Sequence, residues 1–190
     1  MDETHATRND ALDQRWSAFL HDCNLLPVPA PNRKTIAVRL LNVMPVVGVL
    51  LTGGNDLFAY GGDAPERDET EKALLEAATR RRLPVLGVCR GMQTLQHHFG
   101  TRLTKVSGHA GGAQSLVVDG RTRRVNSYHN WAATDVRPPL TAWVTASDGV
   151  VKAVRHNTLP ITGIMWHPER LTPFATEDQC LFRDHFGGRR

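Results

Sequence analysis

Apolar and polar residues keep three different rhythms along this chain. Between Asp10 and Cys23, the apolar residues Leu12, Trp16, Phe19, Leu20 and Cys23 recur at helical spacing with polar residues between them, which predicts an amphipathic helix. Pro27, Pro29 and Pro31 end it. Lys34 to Val43 suggests a second helix. The next rhythm is the continuous apolar run, first Val46-Val47-Gly48-Val49-Leu50-Leu51 and then the segment Pro84 to Val88. Strands buried on both faces of a parallel sheet have this texture. Between the two runs lie a Gly-, Pro- and charge-rich loop, Gly61 to Arg67, and a helix from Glu69 to Arg82 with Asp68 as its N-cap. A further helix follows the second run and stops at Gly100. Strand, helix, strand, helix is the order of a parallel α/β sheet.

After Thr101 the runs shorten and alternate. Ser115 to Val118, Ala142 to Ala146, Val150 to Val154 and Ile161 to Trp166 read as strands, several of them antiparallel, separated by turn signals at Gly108, Asp119-Gly120, Asp148-Gly149 and Asn157. A last helix is expected from Glu177 to Phe186. The whole suits a single three-layer α/β domain over residues 1–190, with a mostly parallel central sheet and antiparallel additions in the C-terminal half.

Composition narrows the setting. The chain is 41% hydrophobic and 22% charged, ordinary for a globular protein. No run of about 18 apolar residues exists, so no membrane span is expected. The start, Met1 to His5, is polar where a secretory signal would be basic and then apolar, which favours a cytoplasmic location. Three widely spaced cysteines, Cys23, Cys89 and Cys180, form no CxxC pair, so neither a disulfide framework nor a metal site is expected, and no cofactor is implied. The net charge of +4 suits an anionic small substrate. It draws on Arg80-Arg81-Arg82, Arg121-Thr122-Arg123-Arg124 and Arg189-Arg190, clusters that more often lie on solvated faces. No aromatic residues interleave with them as nucleic-acid binding would require.

The chemistry concentrates where the second apolar run ends. Gly87-Val88-Cys89-Arg90-Gly91-Met92-Gln93-Thr94 places a cysteine between glycines at minus two and plus two, at a strand-to-helix turn. Such a turn exposes a nucleophile, and it needs small neighbours because the chain passes close by. The following helix directs its free N–H groups at the sulfur and favours negative charge there. Cys89 is therefore the candidate nucleophile.

A cysteine nucleophile needs a base that later returns the proton to the leaving group. Of nine histidines, His97 and His98 lie too far down the helix, and His109 and His156 sit in loop or turn contexts that predict solvated side chains. His167 ends the strand Ile161 to Trp166, and sites in α/β sheets form beyond the carboxyl ends of strands. Glu169, two residues on, can reach one ring nitrogen while the other faces Cys89, with Pro168 holding the segment extended. The backbone N–H of Arg90 is one natural oxyanion donor, and the strand end Thr52-Gly53-Gly54 offers a second at Gly54.

Taken together, the chain resembles class I, triad-type glutamine amidotransferases and related γ-glutamyl hydrolases. The resemblance rests on Thr52-Gly53-Gly54, Gly87 to Gln93, Val125-Asn126-Ser127-Tyr128-His129 and Met165-Trp166-His167-Pro168-Glu169-Arg170, in that order. It implies a flavodoxin-like fold and a γ-glutamyl thioester on Cys89, with Glu169 orienting His167. It also implies that Gln93 and the backbone around Ser127, Tyr128 and His129 hold the α-amino and α-carboxylate groups of the glutamyl moiety. Arg90-Gly91-Met92-Gln93 and Gly53-Gly54-Asn55-Asp56 are similar to the γ-glutamyl-γ-aminobutyrate hydrolase branch, whose members send water rather than ammonia to the thioester. More narrowly, Asn9 to Trp16, Gly61 to Arg67 and Asn126 to Asn130 are similar to hydrolases acting on a γ-glutamyl-CDP-amidate.

The partner implied is a small γ-glutamyl molecule, with no nucleic acid and no membrane, and a homodimer is compatible with it. Two other readings stay open: a glutaminase that delivers ammonia to a synthetase partner, and a binding module that keeps the fold without the activity. The second arises because relatives of this kind begin with an apolar strand, whereas Met1 to Asn9 contains no apolar run. An N-terminal strand missing or replaced would leave its neighbour's hydrogen-bonding groups unpaired.

Overall fold

A computed structural model describes residues 8–187. Five helices and nine strands follow one another as α1 Arg15–Asp22, α2 Lys34–Val43, β1 Val49–Leu51, α3 Pro65–Arg80, β2 Val85–Val88, α4 Arg90–His98, β3 Thr104–Lys105, β4 Ala110–Val118, β5 Arg121–Tyr128, β6 Trp131–Ala132, β7 Leu140–Thr145, β8 Val151–His156, β9 Ile161–Ile164 and α5 Thr176–Phe186. The central sheet has the order β1-β2-β9-β8-β7. Its first three strands are parallel, and β8 and β7 are added antiparallel. The remaining strands form two-stranded sheets, β4 with β5 and β3 with β6.

Strand alternation splits the core into the two faces of a three-layer sandwich. Leu86 and Val88 of β2 join Trp16, Phe19, Phe182 and Phe186 from α1 and α5. Val85, one residue out of phase, joins Leu41, Leu74 and Leu75 from α2 and α3. The apolar runs of the sequence are thus covered on both sides, as a parallel sheet requires. In the parallel register Leu51 pairs with Gly87 and Gly87 with Gly163. The carboxyl ends of β1, β2 and β9 therefore lie side by side, which gathers the segments starting at Thr52, Cys89 and Met165.

Several boundaries differ from the sequence expectation for local reasons. Helix α1 begins at Arg15 rather than Asp10: Leu12 stays 38% exposed, outside the core that Trp16 enters, and the Asp13 carboxylate accepts from the Arg15 N–H at 3.0 Å. Helix α3 begins at Pro65, because a proline at the first helical position loses no hydrogen bond. Asp68 consequently lies inside its first turn and accepts from the Phe58 N–H at 2.8 Å instead of capping. Strand β5 was hidden in a polar sequence, since only Val125 and Ser127 of it face inward to full burial.

One arginine of the supposedly solvated cluster is also structural. Arg123 pairs at 2.9 Å with Asp178 of α5, which is wholly buried and accepts from the Trp166 indole N–H at 3.0 Å. Burial pushes the Asp178 carboxyl up from its ordinary range, against the opposing pull of Arg123. This contact ties the last helix to β5 and to the residue just before His167.

The question of a replaced first strand falls mainly on residues outside those described. Arg8 to Asp13 carry no regular structure, and among the described residues β1 pairs only with β2. No helix among them is long and apolar enough to cross a membrane.

Candidate active site

Cys89 occupies the turn between β2 and α4 with φ 51° and ψ −103°, a conformation L-residues rarely adopt and one that costs of order 1–3 kcal/mol. Its surroundings hold it there. The Cys89 N–H donates to the Ile164 carbonyl at 2.8 Å, and its own carbonyl accepts from the Gln93 N–H at 3.1 Å. Both flanking glycines are sterically required. A Cβ at Gly87 would stand 2.5 Å from the Gly91 carbonyl carbon, and one at Gly91 would overlap the Leu51 carbonyl of the neighbouring strand.

His167 and Glu169 leave the adjacent strand end. The buried His167 Nδ1 bonds Glu169 Oε1 at 2.7 Å, which leaves Nε2 for the thiol. Asn126 clamps the His167 main chain from β5: its side-chain oxygen accepts from the His167 N–H at 2.7 Å, and its amide nitrogen donates to the His167 carbonyl at 2.8 Å. The backbone route to this pairing is not the extended one expected, since Pro168–Arg170 turn into a short 3-10 helix with the proline at its start. Burial disfavours the imidazolium, but the hydrogen bonds and charges of Cys89 and Glu169 outweigh it and raise His167 to about 9.

Gly53 explains why the imidazole can stand there. A Cβ on Gly53 would lie 2.5 Å from His167 Cε1, so the ring packs directly against backbone. Gly53→Ala is expected to displace His167 and lower kcat/KM on any acyl substrate by about 10²-fold, with far-UV circular dichroism unchanged. Near-normal kinetics in this variant would show that the close packing is not used.

Two further N–H groups belong to Gly54, after the end of β1, and to Arg90, at the start of α4. Gly54 has φ 150°. Neither its N–H nor that of Arg90 is taken by an acceptor among the described residues. The Arg90 side chain turns away and is buried against Glu71 and Asp68. A thiol, an imidazole held by a carboxylate and two free N–H groups together suit acyl transfer.

The remaining expected contacts divide. Tyr128 is 47% exposed, with its ring 5.7 Å from that of His167 and the Arg170 guanidinium 4.9 Å from its centroid. It therefore lies at the mouth of the site. Gln93 is buried and donates to the Trp131 carbonyl at 2.8 Å, and the Ser127 hydroxyl donates to the His109 carbonyl at 2.7 Å. The His129 side chain points inward, accepting at 2.7 Å from the buried Lys152 ammonium. The Ser127 and His129 side chains are thus engaged within the fold, and the His129 N–H also donates to the His109 carbonyl at 3.1 Å.

Lys152 had no sequence signal beyond its place in an apolar strand. It also donates to His109 Nδ1 at 2.8 Å and to the Ser127 hydroxyl at 3.3 Å. His109 is thus not solvated as expected. It is buried, with Nε2 bonded to Asp148 at 2.7 Å, because the antiparallel additions fold over it. Burial lowers Lys152 to about 8, and burial with the adjacent Lys152 charge lowers His129 to about 3. A neutral His129 is what accepting from the ammonium requires.

A family model described as glutamine amidotransferase class-I matches residues 4–185. The chain belongs to the class I glutamine amidotransferase family. Among its relatives is the γ-glutamyl-CDP-amidate hydrolase of Campylobacter jejuni, 34% identical over 127 residues that cover 66% of this chain and 63% of that protein. The chain thus matches less than two thirds of that relative's length. The γ-glutamyl-γ-aminobutyrate hydrolase of Escherichia coli is 27% identical over 87% of this chain and 80% of its own length. A solved structure described as a GMP synthase protein, from Thermoplasma acidophilum, superposes with a TM-score of 0.72 at 21% identity, covering 91% of this chain and 85% of that one. That likeness establishes the amidotransferase α/β fold, with the flavodoxin-like arrangement expected. The Asn126 clamp and the Lys152 cluster are contacts that spacing alone could not reveal, because each joins segments distant in sequence.

Proposed function

We propose that this chain hydrolyses γ-glutamyl amides through a thioester on Cys89. The observation that carries the reading is the strained Cys89 elbow beside an imidazole that Glu169 holds by its far nitrogen. The thiolate attacks the γ-carbonyl carbon, and the oxyanion forms against the Gly54 and Arg90 N–H groups. His167 gives its proton to the leaving nitrogen as the C–N bond breaks, which leaves the thioester. His167 then takes a proton from water, the hydroxide adds to the thioester, and C–S cleavage releases glutamate and the thiolate. Water in and amine plus glutamate out balance the reaction.

The finer reading is that the leaving group is a cytidine diphosphoramidate, as the name of the Campylobacter relative suggests. Arg170, stacked over Tyr128 beside His167, offers a cation where an anionic leaving group would depart. Such a product would serve phosphoramidate decoration of surface polysaccharide.

Release of glutamate should be measured across γ-glutamyl-CDP-amidate, γ-glutamyl-γ-aminobutyrate and glutamine. Fastest turnover of the first is expected. Preference for the second would move the leaving group to a plain amine. Glutamine turnover that appears only with an added synthetase would assign the ammonia-delivering role instead. A folded sample inert toward all three would refute hydrolysis.

A further inference from the structure

Arg67 lies in the first turn of α3 and reaches back to the loop after β1. Its Nη2 donates to the Gly53 carbonyl at 2.9 Å and the Thr52 carbonyl at 3.0 Å, Nη1 reaches Asn55 Oδ1 at 3.3 Å, and Nε donates to Glu71 Oε1 at 2.9 Å. The side chain is 16% exposed. A Cβ at Gly54 would overlap Nη1, so glycine at that position makes room for the guanidinium just as Gly53 makes room for His167.

The Gly53 carbonyl and the Gly54 N–H are two ends of one peptide group. A cation donating to the oxygen end draws electron density through the amide and makes the N–H end a stronger donor, while its fork fixes the peptide plane. We propose that Arg67 is a positioning residue for oxyanion stabilisation, acting through the Gly53–Gly54 peptide. This rests on the hydrolase reading above.

The rest of the charge cluster supports the role. Glu71 holds Arg67 and also binds the Arg90 guanidinium and, at 2.8 Å, the Thr94 hydroxyl. Arg90 further binds Asp68. Two arginines thus face two carboxylates, which keeps the buried cluster neutral overall. The chain Arg67, Glu71, Arg90 runs from one oxyanion donor peptide to the residue that carries the other. Both donors are therefore fixed relative to each other by one network between α3 and α4. Lysine could not reproduce this, since a point charge cannot meet two carbonyls and a carboxylate in one plane.

The test compares two reactions of Cys89. Amide hydrolysis develops an oxyanion, whereas alkylation by iodoacetamide displaces iodide at a tetrahedral carbon and develops none there. Arg67→Met should lower kcat by roughly 10- to 100-fold, less than loss of a direct donor, with KM and the alkylation rate within about twofold of wild type. Arg67→Lys should recover only part of kcat, and it carries the same expectation if the Met variant fails to fold. Unchanged kcat in a folded variant, or parallel loss of hydrolysis and alkylation, overturns the role. Wild-type protein that alkylates yet releases no glutamate refutes the hydrolase reading itself, and this role with it.

Discussion

Cys89→Ala should reduce glutamate release from γ-glutamyl amides by on the order of 10⁵- to 10⁶-fold, the scale on which removing an enzyme nucleophile acts. The substitution deletes one sulfur from a buried turn whose backbone is held by the Ile164 carbonyl, the Gln93 N–H and the two close-packed glycines. Those restraints do not involve the thiol, so the variant should stay folded. A glutamine-like electrophile such as 6-diazo-5-oxo-norleucine should add its mass to wild-type protein at Cys89 and not to the variant. Turnover by Cys89→Ala within about 100-fold of wild type would remove the thioester from the mechanism.

Glu169→Gln should cost about 10⁴-fold in kcat while leaving the protein folded. The carboxylate accepts from His167 Nδ1 at 2.7 Å, both groups being buried, and so reserves Nε2 for proton exchange with the thiol. An amide can turn its NH₂ toward Nδ1 and hold the opposite tautomer, which would present an N–H where a base is needed. The same change should be visible in pH dependence. His167 in the fold titrates at about 9, above the ordinary 6.5. The stability it contributes is therefore complete below about 6.5 and lost as pH rises through about 9. Thermal stability of the wild type should fall across that window, and the Gln variant should lose the part of this dependence that Glu169 contributes beside Cys89. A His167 NMR titration midpoint unmoved by the substitution would show that Glu169 is not its electrostatic partner.

Much of this site is legible because its parts are local. The Gly-x-Cys-x-Gly turn states its own steric needs, since Gly87 and Gly91 are demanded by chain passing close by, from the turn itself or from the next strand. His167 and Glu169 are separated by one residue, so their pairing survives even though Pro168 leads into a 3-10 turn rather than an extended segment. Gly53 and Gly54 look like any strand end until the fold places His167 against one and Arg67 against the other. His109 misleads for the opposite reason. Its glycine-rich neighbours signal an open loop, and only the pairing of β4 with β5 and the approach of Asp148 and Lys152 bury it.

The sequence by itself determined the periodicity of helices and buried strands, the Gly-x-Cys-x-Gly turn, and the pairing of His167 with Glu169 two residues on. These follow from spacing of about one to five residues, over which backbone geometry is nearly invariant. Only the tertiary structure decided that β1, β2 and β9 end side by side, that Asn126 clamps His167, and that Arg67 sits behind the Gly53–Gly54 peptide. Those side-chain contacts join residues 14 and 41 positions apart. Side-chain polarity alone cannot encode such pairings, because any of many arginines or asparagines could satisfy the same carbonyls until strand register fixes which one arrives.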